Sequence, residues 1–110
     1  MNIQKFVIDQ QENDEEYVVY LNGELDLSVA PQLRSALESI VNQVEKPLIL
    51  NLKGLKYIDS TGIGIIISVL KIRDELNAPF TVREIPSSIK RLFDLTGISE
   101  FLKETKENQA

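Results

Sequence analysis

Apolar residues along this chain recur at two spacings, and the spacing changes from segment to segment. Phe6-Val7-Ile8 and Tyr17-Val18-Val19-Tyr20-Leu21 are short β-branched and aromatic runs separated by the polar stretch Asp9 to Glu16. Such runs suit two strands joined by a hairpin loop, with Asn22-Gly23 ending the second. From Leu33 the apolar positions Leu37, Ile40, Val41 and Val44 fall at helical spacing, with Arg34, Glu38, Asn42 and Gln43 on the other side. This pattern predicts an amphipathic helix. Ser28 is placed to cap it, and Pro31 falls in the first turn, where a missing N–H removes no intrahelical bond.

Pro47 precedes Leu48-Ile49-Leu50-Asn51-Leu52, a run apolar at four of five positions. Continuous rather than alternating apolarity predicts a central strand covered on both faces. Ile65 to Leu76 returns to helical spacing, and Pro79-Phe80-Thr81-Val82-Arg83 supplies another strand. Ser87 or Ser88 is then placed to cap a helix facing inward through Ile89, Leu92 and Phe93, with Gly97 at its left-handed C-terminal cap. Ile98, Phe101 and Leu102 make a last apolar turn. Strands joined by a helix of this length are linked by right-handed parallel crossovers. The expected fold is therefore α/β: a small mixed sheet covered by helices, in the order β-β-α-β-α-β-α-α.

Length and composition narrow the chemistry. With 110 residues, 43% of them hydrophobic, the chain suits one compact domain, expected over residues 1–103, with a polar tail at 104–110. There is no cysteine and no histidine, so a disulfide framework, thiolate zinc and Ser-His-Asp catalysis are excluded. No catalytic residue, metal or cofactor is expected. Seventeen acidic residues against twelve basic give a net charge of −5, and the basic residues are scattered, so no direct nucleic-acid contact is expected. Met1 to Lys5 leads directly into a strand pattern, and no apolar run approaches a signal core or membrane span. A cytoplasmic protein without a membrane partner, monomeric when free, is the expectation.

Asp59-Ser60-Thr61-Gly62-Ile63-Gly64-Ile65 joins the central strand to the second helix. On spacing alone Asp59-Ser60-Thr61 reads first as an N-cap, since helix starts leave N–H groups that such side chains satisfy. Two glycines in the first turn fit that reading less well. Each costs about 1 kcal/mol against Ala inside a helix, and a positive use is close approach of another surface. In parallel α/β sheets, loops after the strands gather at the end where partners are met. Helical rotation places Ile65, Val69, Ile72 and Leu76 on one stripe, expected to face the sheet. Ile63, Ile67 and Leu70 fall opposite, either against another helix or open to a partner.

Three segments together resemble the STAS-domain anti-sigma factor antagonists of bacteria. They are Gly23-Glu24-Leu25-Asp26, Tyr57-Ile58-Asp59-Ser60-Thr61-Gly62-Ile63-Gly64, and Arg91-Leu92-Phe93-Asp94-Leu95-Thr96-Gly97-Ile98. The resemblance implies a STAS-like fold and a non-enzymatic role. It implies that Ser60 is phosphorylated by a partner that is both anti-sigma factor and serine kinase, and restored by a PP2C-type phosphatase. The unphosphorylated form would bind the anti-sigma factor and free the sigma factor, with Asp26, Asp59, Ser60, Thr61, Gly62, Ile63, Gly64 and Ile67 forming the partner-facing surface. The Asp-Ser-Thr-Gly version is more similar to general-stress antagonists than to sporulation ones. A scaffold or sensory component of a larger assembly, or a transporter accessory, is the alternative that the same resemblance carries.

A phosphate on Ser60 adds about −1.5 to −2 charges at neutral pH. The helix N-terminus attracts it and Asp59 repels it, each by around 1 kcal/mol at an exposed site. The fold is therefore expected to survive modification. An interface is more sensitive, since burying an unpaired charge costs several kcal/mol.

Overall fold

The computed structural model describes residues 5–100. Within them lie β1 (Phe6–Glu12), β2 (Tyr17–Leu25), a 3-10 turn (Leu27–Val29), α1 (Ala30–Glu38), β3 (Leu48–Ile58), α2 (Ser60–Glu75), β4 (Phe80–Arg83) and α3 (Ser87–Thr96). The sheet order is β1-β2-β3-β4, with β1 antiparallel to β2 and the other pairs parallel. This is the mixed α/β architecture expected. Residues 98–100 begin a further helical turn, while Phe101, Leu102 and the expected tail at 104–110 lie outside the described residues, as do Met1 to Gln4.

Both parallel crossovers step in the same direction across the sheet, and right-handed connections of that kind place α1 and α2 on one face. Their side chains Leu33, Leu37, Ile66 and Val69 share a single buried cluster with Val19, Leu21, Leu50 and Leu52 of the strands, joined by Ile89 and Phe93 of α3. The opposite face carries Val18, Ile49 and Asn51, which are also buried but stand outside that cluster. The even apolarity of Leu48 to Leu52 therefore has the cause expected of a central strand.

Four local expectations are corrected. Asn22-Gly23 does not end β2. The strand continues to Leu25 through an irregularity at Tyr20/Asn22 and Gly23/Glu24, with Gly23 at φ 102°. A Cβ there would lie 2.1 Å from the Lys5 carbonyl oxygen, which instead accepts from Glu24 N at 2.9 Å. Glycine is thus required for the strand to run on. Second, Ser28 does not cap α1, whose N-cap position is Val29 without a side-chain bond, although Pro31 falls in the first turn as expected. Third, Ser87 lies inside α3 behind Pro86, and neither Ser87 nor Ser88 caps it by a side-chain bond. Gly97 does adopt the left-handed C-cap, at φ 86°.

The fourth correction exposes a buried cation. α1 stops at Glu38, so Val44 is exposed rather than on its apolar stripe. The carbonyls of Val41 and Gln43 accept from Arg73 Nη1 at 3.2 and 2.7 Å, and those of Lys46 and Pro79 from Nη2 at 2.9 Å each. Arg73 is only 1% exposed, and burial lowers its pKa. It ties the α1–β3 and α2–β4 connections together at the C-terminal end of α2, where the helix dipole favours a cation. The sheet-facing stripe of α2 is accordingly Gly62, Ile66, Val69 and Arg73, whereas Ile72 and Leu76, expected on it, are exposed.

Candidate functional site

The C-terminal ends of β2 and β3 lie side by side, with Leu25 paired to Ile58 and Asp59 N donating to Leu25 O at 3.2 Å. Each strand then leads into an acidic cap. Asp59 takes extended backbone angles and caps α2, its Oδ1 accepting from Gly62 N at 3.0 Å. Its other oxygen, Oδ2, accepts from Leu27 N at 3.1 Å. One carboxylate therefore fixes both the start of α2 and the turn that follows β2.

Asp26 organises that turn. Its Oδ1 accepts from Ser28 N at 2.9 Å and Ser28 Oγ at 2.6 Å, while Oδ2 pairs with Lys5 Nζ, which also donates to Ser28 Oγ at 3.2 Å. The hydrogen bond from Lys5, followed by those from Ser28, holds the Asp26 carboxyl down at about 2. Lys5 is shifted upward in turn, chiefly by Asp26, with the charges of Glu24 and Asp59 adding to the effect. Asp26 is thus a clamp within the fold, and among the described residues Lys5 stands near the three carboxylates of Glu24, Asp26 and Asp59 and is already paired.

Ser60 is exposed as the first residue of α2. Among the described residues no hydrogen bond engages its Oγ. Thr61 is half-buried behind it, and Gly64, one turn on, is exposed. The two glycines have different physical reasons. A Cβ on Gly62 would stand 2.8 Å from Ile58 Cγ1 and 2.8 Å from Leu25 Cγ, whereas a Cβ on Gly64 would meet nothing within 4 Å. Close approach is therefore internal at Gly62, where α2 sits down on β2 and β3, and outward space is left open at Gly64.

This geometry divides the eight residues expected on a partner-facing surface. Ser60 and Gly64 are exposed, and Asp26, Asp59, Thr61 and Ile67 are half-buried. Gly62 and Ile63 lie in the interior of the domain: both are buried, Ile63 in the main cluster. Ile67 and Leu70 pack partly against that cluster too, so the second stripe of α2 is largely used within the domain. Sequence reasoning missed Leu27 and Lys5. Leu27 extends the alternation Leu25-Asp26-Leu27, which reads as more strand, yet it stands 68% exposed beside the Asp59 carboxylate.

Among the described residues no cluster of His, Cys, Asp or Glu is arranged to hold a metal, and no helix is long and apolar enough to cross a membrane. The arrangement offers instead an unengaged hydroxyl at a helix start, on a surface with net negative charge.

Comparison with known proteins agrees with the architecture. The family model described as "STAS domain" matches residues 6–110. The "Anti-sigma-B factor antagonist" of Staphylococcus epidermidis is 30% identical over 90 residues, covering 82% of this chain and 83% of that protein. The protein of the same name from Staphylococcus aureus strain NCTC 8325 is 28% identical over 95 residues, covering 86% and 88%. A solved anti-sigma factor antagonist from Mycobacterium paratuberculosis superposes with a TM-score of 0.77 at 24% identity, covering 86% of this chain and 80% of that one. On the extent of the family match and the relatives it resembles along nearly their whole length, the chain belongs to the STAS domain family, among the anti-sigma factor antagonists.

Proposed function

We propose that this protein is a partner-switching ligand whose state is set at Ser60. Unphosphorylated, it binds an anti-sigma factor and releases the sigma factor. A serine kinase activity of the same partner phosphorylates Ser60, and a PP2C-type phosphatase reverses it. The chain acts as substrate and ligand, not as catalyst, in the cytoplasm of a cell responding to stress. The observation that carries the reading is the exposed Ser60 side chain, without a hydrogen bond among the described residues, on the first turn of α2.

Its surroundings support release on phosphorylation. A phosphate at Ser60 lies beside Asp59, whose oxygens are both engaged, and Lys5 is already committed to Asp26. The new charge of about −1.5 to −2 therefore stays largely unneutralised within the protein. Water solvates it in the free state at little cost. Docking would strip that water, and burying such a charge without a partner costs several kcal/mol, a hundredfold or more in affinity.

The assignment is tested by incubating the protein with its anti-sigma factor and ATP and mapping the product by peptide mass spectrometry. Modification at Ser60 is expected. Modification confined to Thr61 or to another residue overturns it.

A further inference from the structure

We propose that Leu27 is the apolar anchor by which the protein docks on its anti-sigma factor, a proposal that rests on the partner-switching reading above. Leu21 and Leu25, earlier in the same segment, are fully buried, whereas Leu27 is 68% exposed. Its backbone is nonetheless held on every side. Leu27 N donates to Asp59 Oδ2 at 3.1 Å, Asp26 caps the 3-10 turn that Leu27 opens, and Val29 N closes that turn on Asp26 O at 3.1 Å. Lys5 fastens the same turn to the segment entering β1 through Asp26 and Ser28.

Because the backbone under this large apolar side chain is already fixed, a partner that covers it has no loop to order, which is the advantage of a preorganised contact. The residue that fixes Leu27 is also the cap of α2 and the neighbour of Ser60. Anchor and phosphoacceptor are therefore presented as one rigid unit, with the open space over Gly64 beside Ser60 on the helix. The complementary partner surface is an apolar pocket that receives Leu27, with its rim against Ser60 and Gly64. A phosphate on Ser60 then falls at the rim of an apolar contact. There it holds water that the contact must expel.

Binding of the host's purified anti-sigma factor, measured by titration calorimetry on wild type, Leu27→Ala, Leu27→Glu and Ser60→Asp, tests this. Leu27→Ala is expected to weaken binding about tenfold to thirtyfold from lost apolar burial, and Leu27→Glu by at least about a hundredfold. Both should melt within a few degrees of wild type, because an exposed side chain contributes little to the fold. Wild-type affinity in Leu27→Ala and Leu27→Glu, with Ser60→Asp still weakened, overturns the anchor and leaves partner switching standing. Wild-type affinity in all three variants overturns both.

Discussion

Two glycines two residues apart on α2 should respond to the same substitution with opposite signs. Gly62→Ala places a methyl 2.8 Å from both Ile58 Cγ1 and Leu25 Cγ, where carbon atoms prefer about 3.5–4.0 Å. Relief requires α2 or the two strands to move by roughly 0.7–1.2 Å at a close-packed junction, and overpacking of that kind costs about 1–3 kcal/mol. Replacing glycine inside a helix returns about 0.8–1.0 kcal/mol. The balance is a net loss of up to about 2 kcal/mol. At Gly64 the added methyl meets no atom within 4 Å, so only the helical gain operates, and Gly64→Ala should stabilise the fold by about 0.8 kcal/mol. Urea denaturation followed by circular dichroism reads both changes at constant slope. For a domain of this size the two variants should melt about 4–20 °C apart, with wild type between them. Calorimetric titration of the anti-sigma factor adds the functional half: the more stable Gly64→Ala should bind more weakly, because its methyl occupies space left for the partner. Equal stability of the two variants would refute the packing argument at Gly62, and unimpaired binding by Gly64→Ala would refute the role given to the open side of the helix.

Arg73→Ala removes one group that bonds four loop carbonyls, of which Pro79 O keeps its bond from Leu48 N, and should cost about 3–5 kcal/mol in chemical denaturation, while Arg73→Lys recovers part of this. A loss below about 1 kcal/mol would show that water replaces the guanidinium without difficulty. The depressed Asp26 carboxyl gives a pH signature: its contribution is present in full above pH 4 and is lost as pH falls through about 2, because the unfolded state takes up the proton first. The stability gap between wild type and Asp26→Asn should therefore be constant above pH 4 and shrink toward pH 2, and a gap independent of acid would contradict the clamp.

Much of the architecture was legible because the chain's periodicities agree with its topology. The short β-branched runs, the continuous apolarity of Leu48 to Leu52 and the helical spacing after Ile65 each specify an element that the sheet order then unites. Boundaries were less legible where tertiary contacts override local pattern. α1 ends before Val44, and beyond it the carbonyls of Val41 and Gln43 are taken by Arg73, distant in sequence. β2 passes through Asn22-Gly23 because that glycine accommodates the Lys5 carbonyl, a contact absent from any local window. At the site, Asp59 as a cap could be read from spacing. Its second bond to Leu27 could not, since it joins two strand ends 32 positions apart. Gly62 and Gly64 look equivalent in a sequence, and only the packing of α2 on Ile58 and Leu25 separates them.

The decisive comparison is between protein phosphorylated at Ser60 alone and its unphosphorylated form, in affinity for the anti-sigma factor at physiological ionic strength. Phosphorylation should lower the affinity a hundredfold or more, with the circular dichroism spectrum and melting temperature of the free protein nearly unchanged. Equal affinities would contradict it. So would a fall in binding accompanied by loss of the fold, since charge at the surface of α2 would then not be what separates the two proteins.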